Sequence, residues 1–265
     1  MASTLAIISS NKIDQRFAIL RAAQRKALVC YMTAGFPSAT ASLELLRGLE
    51  SEGADVIEVG VPFSDPIADG PVIQDSSQKA LAAGITLENT FDLISRAGLN
   101  VPVVLFSYLN PLMSGGEAVL ERAASAGVDG ILLTDLPVGA DPEREKWLGD
   151  SGLAFIRLVA PTTPLARMEE ITRNGSGFVY LISRLGVTGA QSTLSADLIE
   201  TTNRLRSATQ LPICVGFGIS NGDQARAAAA AADGVVVGSA LVKAAGENIS
   251  SALLLTRTLR DALDS

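Results

Sequence analysis

Eight times along this 265-residue chain, a short apolar run of strand length is followed by a segment with helical spacing. No other regularity constrains the fold as strongly. The apolar runs fall at residues 27–33, 54–60, 101–107, 128–134, 154–159, 178–182, 212–216 and 234–237. Helices are predicted over 38–52, 73–82 with 87–96, 116–126, 142–151, 165–173, 194–207, 221–231 and 247–262. Runs that are apolar on both faces belong to parallel strands covered by helices. Eight strand–helix units in a chain of this length predict an α/β fold, a single (β/α)8 or TIM barrel spanning residues 1–265. No linker or shift in composition divides the chain. A doubly wound open sheet is the alternative that alternation alone leaves. An extra helix is expected at 11–25, where Ile13, Phe17, Ile19 and Leu20 recur at near-helical spacing, and a short one after strand eight, opened by Ser239.

One strand breaks the apolar pattern. Residues 54–60 read Ala-Asp-Val-Ile-Glu-Val-Gly, so a carboxylate, Glu58, stands inside a run that should be buried. A loop rich in proline, glycine and aspartate follows, with Pro62, Pro66, Gly70 and Pro71 around Asp65 and Asp69. Strand alternation puts Val56, Glu58 and Gly60 on one face and Ile57 and Val59 on the other. If Gly60 marks the crowded barrel interior, Glu58 points inward near the C-terminal strand ends, where barrels build their sites. Burial there is expected to raise its pKa, and a second acid nearby to raise it further, which suits a carboxyl group to proton transfer.

Composition sharpens this. The chain has no histidine, so proton transfer has to fall to carboxylate, tyrosine or lysine, and no histidine metal ligand exists. The five lysines, Lys12, Lys26, Lys79, Lys146 and Lys243, all fall away from the predicted C-terminal strand ends, which disfavours Schiff-base chemistry. No metal site is expected. A net charge of −7 leaves no electrostatic footprint for nucleic acid or an anionic membrane. Cys30 and Cys214 sit in apolar runs and read as core residues in a reducing compartment. The N-terminus lacks a basic residue before its apolar piece and makes a poor signal peptide, so a soluble, cytoplasmic protein is expected.

Glycines crowd the ends of the last three strands, in Tyr180-Leu-Ile-Ser-Arg-Leu-Gly-Val-Thr-Gly189, Gly216-Phe-Gly218 and Gly238-Ser239. Barrels often bind phosphate with the loops after strands seven and eight and the N-terminus of a short helix. Pattern alone therefore points to carboxylate acid–base chemistry on a small phosphorylated substrate.

The run Ile57-Glu58-Val-Gly-Val-Pro-Phe-Ser-Asp-Pro-Ile-Ala-Asp69-Gly-Pro-Val-Ile-Gln resembles the signature of tryptophan synthase alpha chains. The resemblance continues in order through Leu-Asn110-Pro, Thr134-Asp-Leu-Pro, Gly186-Val-Thr-Gly189, Gly216-Phe-Gly-Ile-Ser and Val-Gly238-Ser239-Ala. It implies a (β/α)8 barrel that cleaves indole-3-glycerol phosphate to indole and glyceraldehyde 3-phosphate. Glu58 matches the catalytic glutamate and Asp69 the aspartate that accepts from the indole N–H. Gly189, Gly218, Gly238 and Ser239 match phosphate-binding positions, and Tyr180, Leu105 and Phe217 align with residues lining the substrate pocket. Thr188 matches a residue of a closing loop that orients Asp69. Asp65 and Pro66 match positions that face a partner, the tryptophan synthase beta chain, in an alpha2beta2 heterotetramer. Pyridoxal phosphate is expected only in that beta chain and no cofactor in this one. Tyr31 stands where phenylalanine is common, and Ser107 where tyrosine or threonine is commoner. A stand-alone indole-3-glycerol-phosphate lyase, a catalytically inactive allosteric subunit and another sugar-phosphate isomerase are the alternatives.

Overall fold

The computed structural model describes residues 11–182, 196–216 and 218–265. The chain runs α1 (Lys12–Ala22), β1 (Ala27–Thr33), α2 (Ala39–Ser51), β2 (Val56–Gly60), α3 (Pro71–Ala82), α4 (Leu87–Ala97), β3 (Val103–Ser107), α5 (Leu109–Ser114) and α6 (Val119–Ala126). It continues β4 (Gly130–Leu133), α7 (Pro142–Gly149), β5 (Ala154–Val159), α8 (Leu165–Arg173), β6 (Val179–Ile182), α9 (Ala196–Ala208), β7 (Ile213–Gly216), α10 (Gly222–Ala231), β8 (Gly234–Val237), α11 (Ser239–Glu247) and α12 (Ile249–Asp264). All strand pairs are parallel and in sequence order, and β8 pairs back onto β1, with Ala27 opposite Gly234. That closure removes the open doubly wound sheet and leaves a (β/α)8 barrel.

Two apolar layers hold it. Val29, Val56, Val104, Leu132, Ile156, Phe178, Cys214 and Val236 fill the barrel interior. Ile57, Val59, Leu105, Ile131, Val179 and Val215 face outward and pack beneath the helices. The extra helix α1 closes one end of the interior with Ile13, Phe17 and Leu20, and Phe17 meets Phe178 at 5.6 Å between ring centroids. Each of these side chains is worth about 1.5–3 kcal/mol of apolar burial.

The same end carries a buried ionic knot. Asp55, just ahead of β2 and 1% exposed, accepts from Arg16 Nη2 at 2.6 Å, Arg260 Nη1 at 2.9 Å and the Leu28 amide at 2.8 Å. One carboxylate thus ties α1 and α12 to β1.

Helix starts follow the sequence signals. Ser38 caps α2 by accepting from the Ala41 amide, and Asn221 caps α10 by accepting from the Gln224 amide. Residues 108–115 carry no periodicity long enough to predict a helix, yet α5 forms there. Its Pro111 is tolerated because the first turn needs no amide donor. The helix predicted from residue 116 begins at Val119. Among the described residues no helix is long and apolar enough to cross a membrane.

Candidate active site

Glu58 is the third residue of β2, and the strand points it inward as its neighbours require. Val56 lies in the interior cluster, while Ile57 and Val59 lie in the outer one. Tyr31 of β1 is the cross-strand partner of Glu58. The Tyr31 ring lies over Gly60: a Cβ built there would stand 2.1 Å from the phenol oxygen. Gly216 makes the same room for Tyr180, whose oxygen would be 2.4 Å from an added Cβ. Two missing side chains therefore admit two phenol rings beside the carboxyl group. Phe106 of β3 packs edge-on against Tyr31 at 5.2 Å and 79°.

Only 1% of Glu58 is exposed, and its Oε1 has no hydrogen-bond partner among the described residues. Burial raises its pKa from 4.5 to about 8. It is consequently a neutral carboxylic acid near pH 7, able to give up a proton and take one back. The expected contribution of the second acid is absent: among the described residues desolvation is the cause of the rise.

Asp69 reaches the same cleft from the loop after β2. Desolvation raises its pKa, and the Tyr108 hydrogen bond works against that rise. Tyr108 Oη donates to Asp69 Oδ2 at 3.0 Å and accepts from the Ala68 amide at 2.9 Å, so one phenol holds both backbone and carboxylate. Burial and the charge of Asp69 push the Tyr108 phenol up to about 12, keeping it a donor. Phe63 packs on its ring at 5.0 Å. Farther along, Gln74 Nε2 donates to the carbonyls of Pro66 and Asp69. Asp135 of the Thr134-Asp-Leu-Pro stretch accepts from the Leu109 amide, anchoring the start of α5 beside Tyr108.

Opposite the acids, Gly218, Gly238 and Ser239 line the cleft, which measures about 590 Å³, within the range of small-molecule sites. Gly218 has φ +82°, a backbone that side-chain-bearing residues rarely adopt. Gly238 precedes α11 without a side-chain cap, leaving the first-turn amides without intrahelical acceptors. The nearest atoms that a Cβ at Gly238 would meet are those of the Tyr31 side chain, at an ordinary 3.5 Å. Packing at this position does not itself demand a glycine. Amides and helix dipole together make this corner fit for an anion.

The structure thus brings Glu58, Asp69, Tyr180, Gly218, Gly238 and Ser239 to one cavity. Leu105 is not among them. It is fully buried in the outer layer beneath the helices, because β3 turns Val104 and Phe106 inward. Phe106 is the β3 residue that packs against Tyr31, which lines the cleft. Thr188, Gly189 and Phe217 lie outside the described residues. Asp65 is exposed and Pro66 half-buried in the loop between the two acids, and Ile67 beside them is 87% exposed. Three contributors went unread in the sequence. Tyr108 follows the C-terminal end of β3 directly, the position where barrel sites are built, and it places a phenol next to the unexpected Ser107. Phe106 was hidden by a strand apolar on both faces. Lys243 lies in α11, away from any strand end, yet lines the cleft.

The family model described as tryptophan synthase alpha chain matches residues 17–261. A tryptophan synthase alpha chain of Caulobacter vibrioides is 46% identical over 262 residues, covering 96% of this chain and 92% of that one. One from Carboxydothermus hydrogenoformans is 47% identical over 236 residues, covering 88% of each chain. The solved tryptophan synthase subunit alpha of Legionella pneumophila superposes with a TM-score of 0.89 at 33% identity, covering 97% of this chain and 99% of that one. With a closed barrel that superposes on a solved alpha subunit and matches spanning almost the whole chain, this protein belongs to the tryptophan synthase alpha chain family.

Proposed function

We propose that the chain cleaves indole-3-glycerol phosphate as its family does, a carbon–carbon lyase reaction, with Glu58 as acid–base catalyst and Asp69 as its electrostatic partner. The observation that carries this reading is a buried carboxyl group, neutral near pH 7, whose Oε1 has no partner among the described residues and which shares a cavity with a carboxylate and an open helix N-terminus.

In this mechanism the Glu58 carboxyl group protonates indole C3. Positive charge then spreads over the ring, and Asp69, held by Tyr108, accepts from the indole N–H where that charge develops. The carboxylate left on Glu58 takes the proton of the C3′ hydroxyl as the C3–C3′ bond breaks. The bonding electrons return to the indole ring, and the hydroxyl carbon becomes the aldehyde of glyceraldehyde 3-phosphate. One proton leaves Glu58 and one returns, so the cycle closes without water or an external acid. Gly218, Gly238 and Ser239 receive the phosphate at the start of α11. In our reading Tyr180 and Phe217 line the pocket, Gly189 shares in binding the phosphate, and Thr188 belongs to the closing loop that orients Asp69. Residues 1–265 act as one domain.

A beta chain is the partner of this family. We take the assembly to be an alpha2beta2 heterotetramer in the cytoplasm, with Asp65 and Pro66 turned toward the beta chain. The exposed Ile67 between Pro66 and Asp69 supports that orientation, since an apolar side chain at a loop tip gains by being covered. The alpha family does not use pyridoxal phosphate itself; we place that group in the beta chain and no cofactor in this one.

The test is to incubate the purified chain with indole-3-glycerol phosphate, with and without a beta chain, and follow indole. Indole formation that rises on adding the beta chain supports the reading, and Glu58→Gln should abolish cleavage while still binding substrate. Full cleavage by that variant overturns the assignment.

A further inference from the structure

We propose that Lys243 is a further substrate-binding residue of the cleft, its ammonium meeting the phosphate received by the first turn of α11. This rests on the phosphorylated substrate assigned above. Lys243 lies four residues after Ser239 on α11, so the two share a helix face. Helical side chains lean toward the N-terminus, which carries the flexible lysine stem back toward Gly238 and Ser239. Lys243 lines the same cavity as these two residues, and among the described residues it is the one cation doing so. The carboxylic acids there, Glu58 and Asp69, belong to the reacting end, and Glu58 Oε1 has no partner among the described residues.

Comparison with the other lysines separates this one from a merely solvated surface charge. Lys12 pairs with Asp129, Lys79 with Asp75 and Lys146 with Asp150, and Lys26 donates to the Ala232 carbonyl. Lys243 makes no hydrogen bond or ion pair among the described residues. Glu247 stands four residues on, the spacing that joins Lys79 to Asp75, yet that pair does not form. In a chain of net charge −7, an unpaired cation beside an open helix N-terminus is where a phosphate dianion meets net positive potential. Backbone amides supply direction to that phosphate, and Lys243 supplies charge.

The experiment compares two probes on the intact chain by calorimetric titration at low ionic strength: indole-3-propanol phosphate and phosphate-free indole-3-propanol. Wild type should prefer the phosphorylated probe. Lys243→Met should weaken that probe roughly fivefold and leave the other unchanged, while Lys243→Arg, which keeps the charge, should stay within about twofold of wild type. Added salt should shrink the difference between wild type and Lys243→Met. Equal binding of the phosphorylated probe by Lys243→Met and wild type overturns the proposal, as does equal weakening of both probes. If wild type itself shows no preference for the phosphorylated probe, the phosphate site fails and this proposal fails with it.

Discussion

Replacing Glu58 by glutamine should stabilise the folded chain at alkaline pH even as it removes activity. In the folded state burial holds the carboxyl pKa at about 8, against 4.5 when the group is free. Below the free value both states are protonated and Glu58 contributes no pH dependence. As pH rises from there, the unfolded chain releases the proton while the folded chain keeps it, so folded stability falls by about 1.36 kcal/mol per pH unit. The loss levels off once pH passes the folded value, at a total of roughly 5 kcal/mol. Glutamine has the shape of the protonated acid and no charge to desolvate, so its stability carries no such slope from this site. Urea unfolding of both proteins across this range reads the effect directly. The gap between Glu58→Gln and wild type should widen with pH and then become constant. A gap that stays flat to within about 0.5 kcal/mol from near pH 5 to near pH 9 refutes the reasoning, because the carboxyl would then be solvated in the folded chain.

Tyr108→Phe removes the donor to Asp69 and the acceptor for the Ala68 amide; kcat/KM should drop about tenfold, a loss near 1.4 kcal/mol. Because that hydrogen bond holds the Asp69 pKa down, the acid limb of the pH–rate profile should move to higher pH, and an unmoved limb would show that Asp69 need not be ionised. Gly60→Ala drives a methyl group into the Tyr31 phenol and should cost about 1–3 kcal/mol in chemical denaturation, partly relieved when Tyr31→Phe is added; an additive double variant would count against the contact. Asp55→Ala leaves the buried Arg260 guanidinium with Asp264 as its remaining acid and takes the acceptor from the Leu28 amide; it should cost about 1–3 kcal/mol while KM in the folded fraction stays unchanged, as read by denaturation and steady-state assay.

The comparison of β2 with β3 shows what one-dimensional reasoning can and cannot reach. In β2, Glu58 and Gly60 interrupt the apolar run, so the inward face was legible: no outward position packed under a helix would hold a lone carboxylate. In β3, Val103-Val-Leu-Phe106 is apolar on both faces, and a shift of one residue reverses every side chain. Nothing in that run therefore opposed the resemblance that aligned Leu105 with a pocket residue, whereas pairing with β2 and β4 turns Phe106 to the interior instead. The eight strand–helix units, barrel class, the missing histidines and the two acids were written in the sequence, because they depend on local pattern and residue type. Tyr108 on Asp69, the glycine gaps that admit Tyr31 and Tyr180, and Lys243 in the cleft depend on closure, which places residues distant in sequence at one rim. Those contacts are properties of strand register and helix phase around the whole ring, and only the folded barrel decided them.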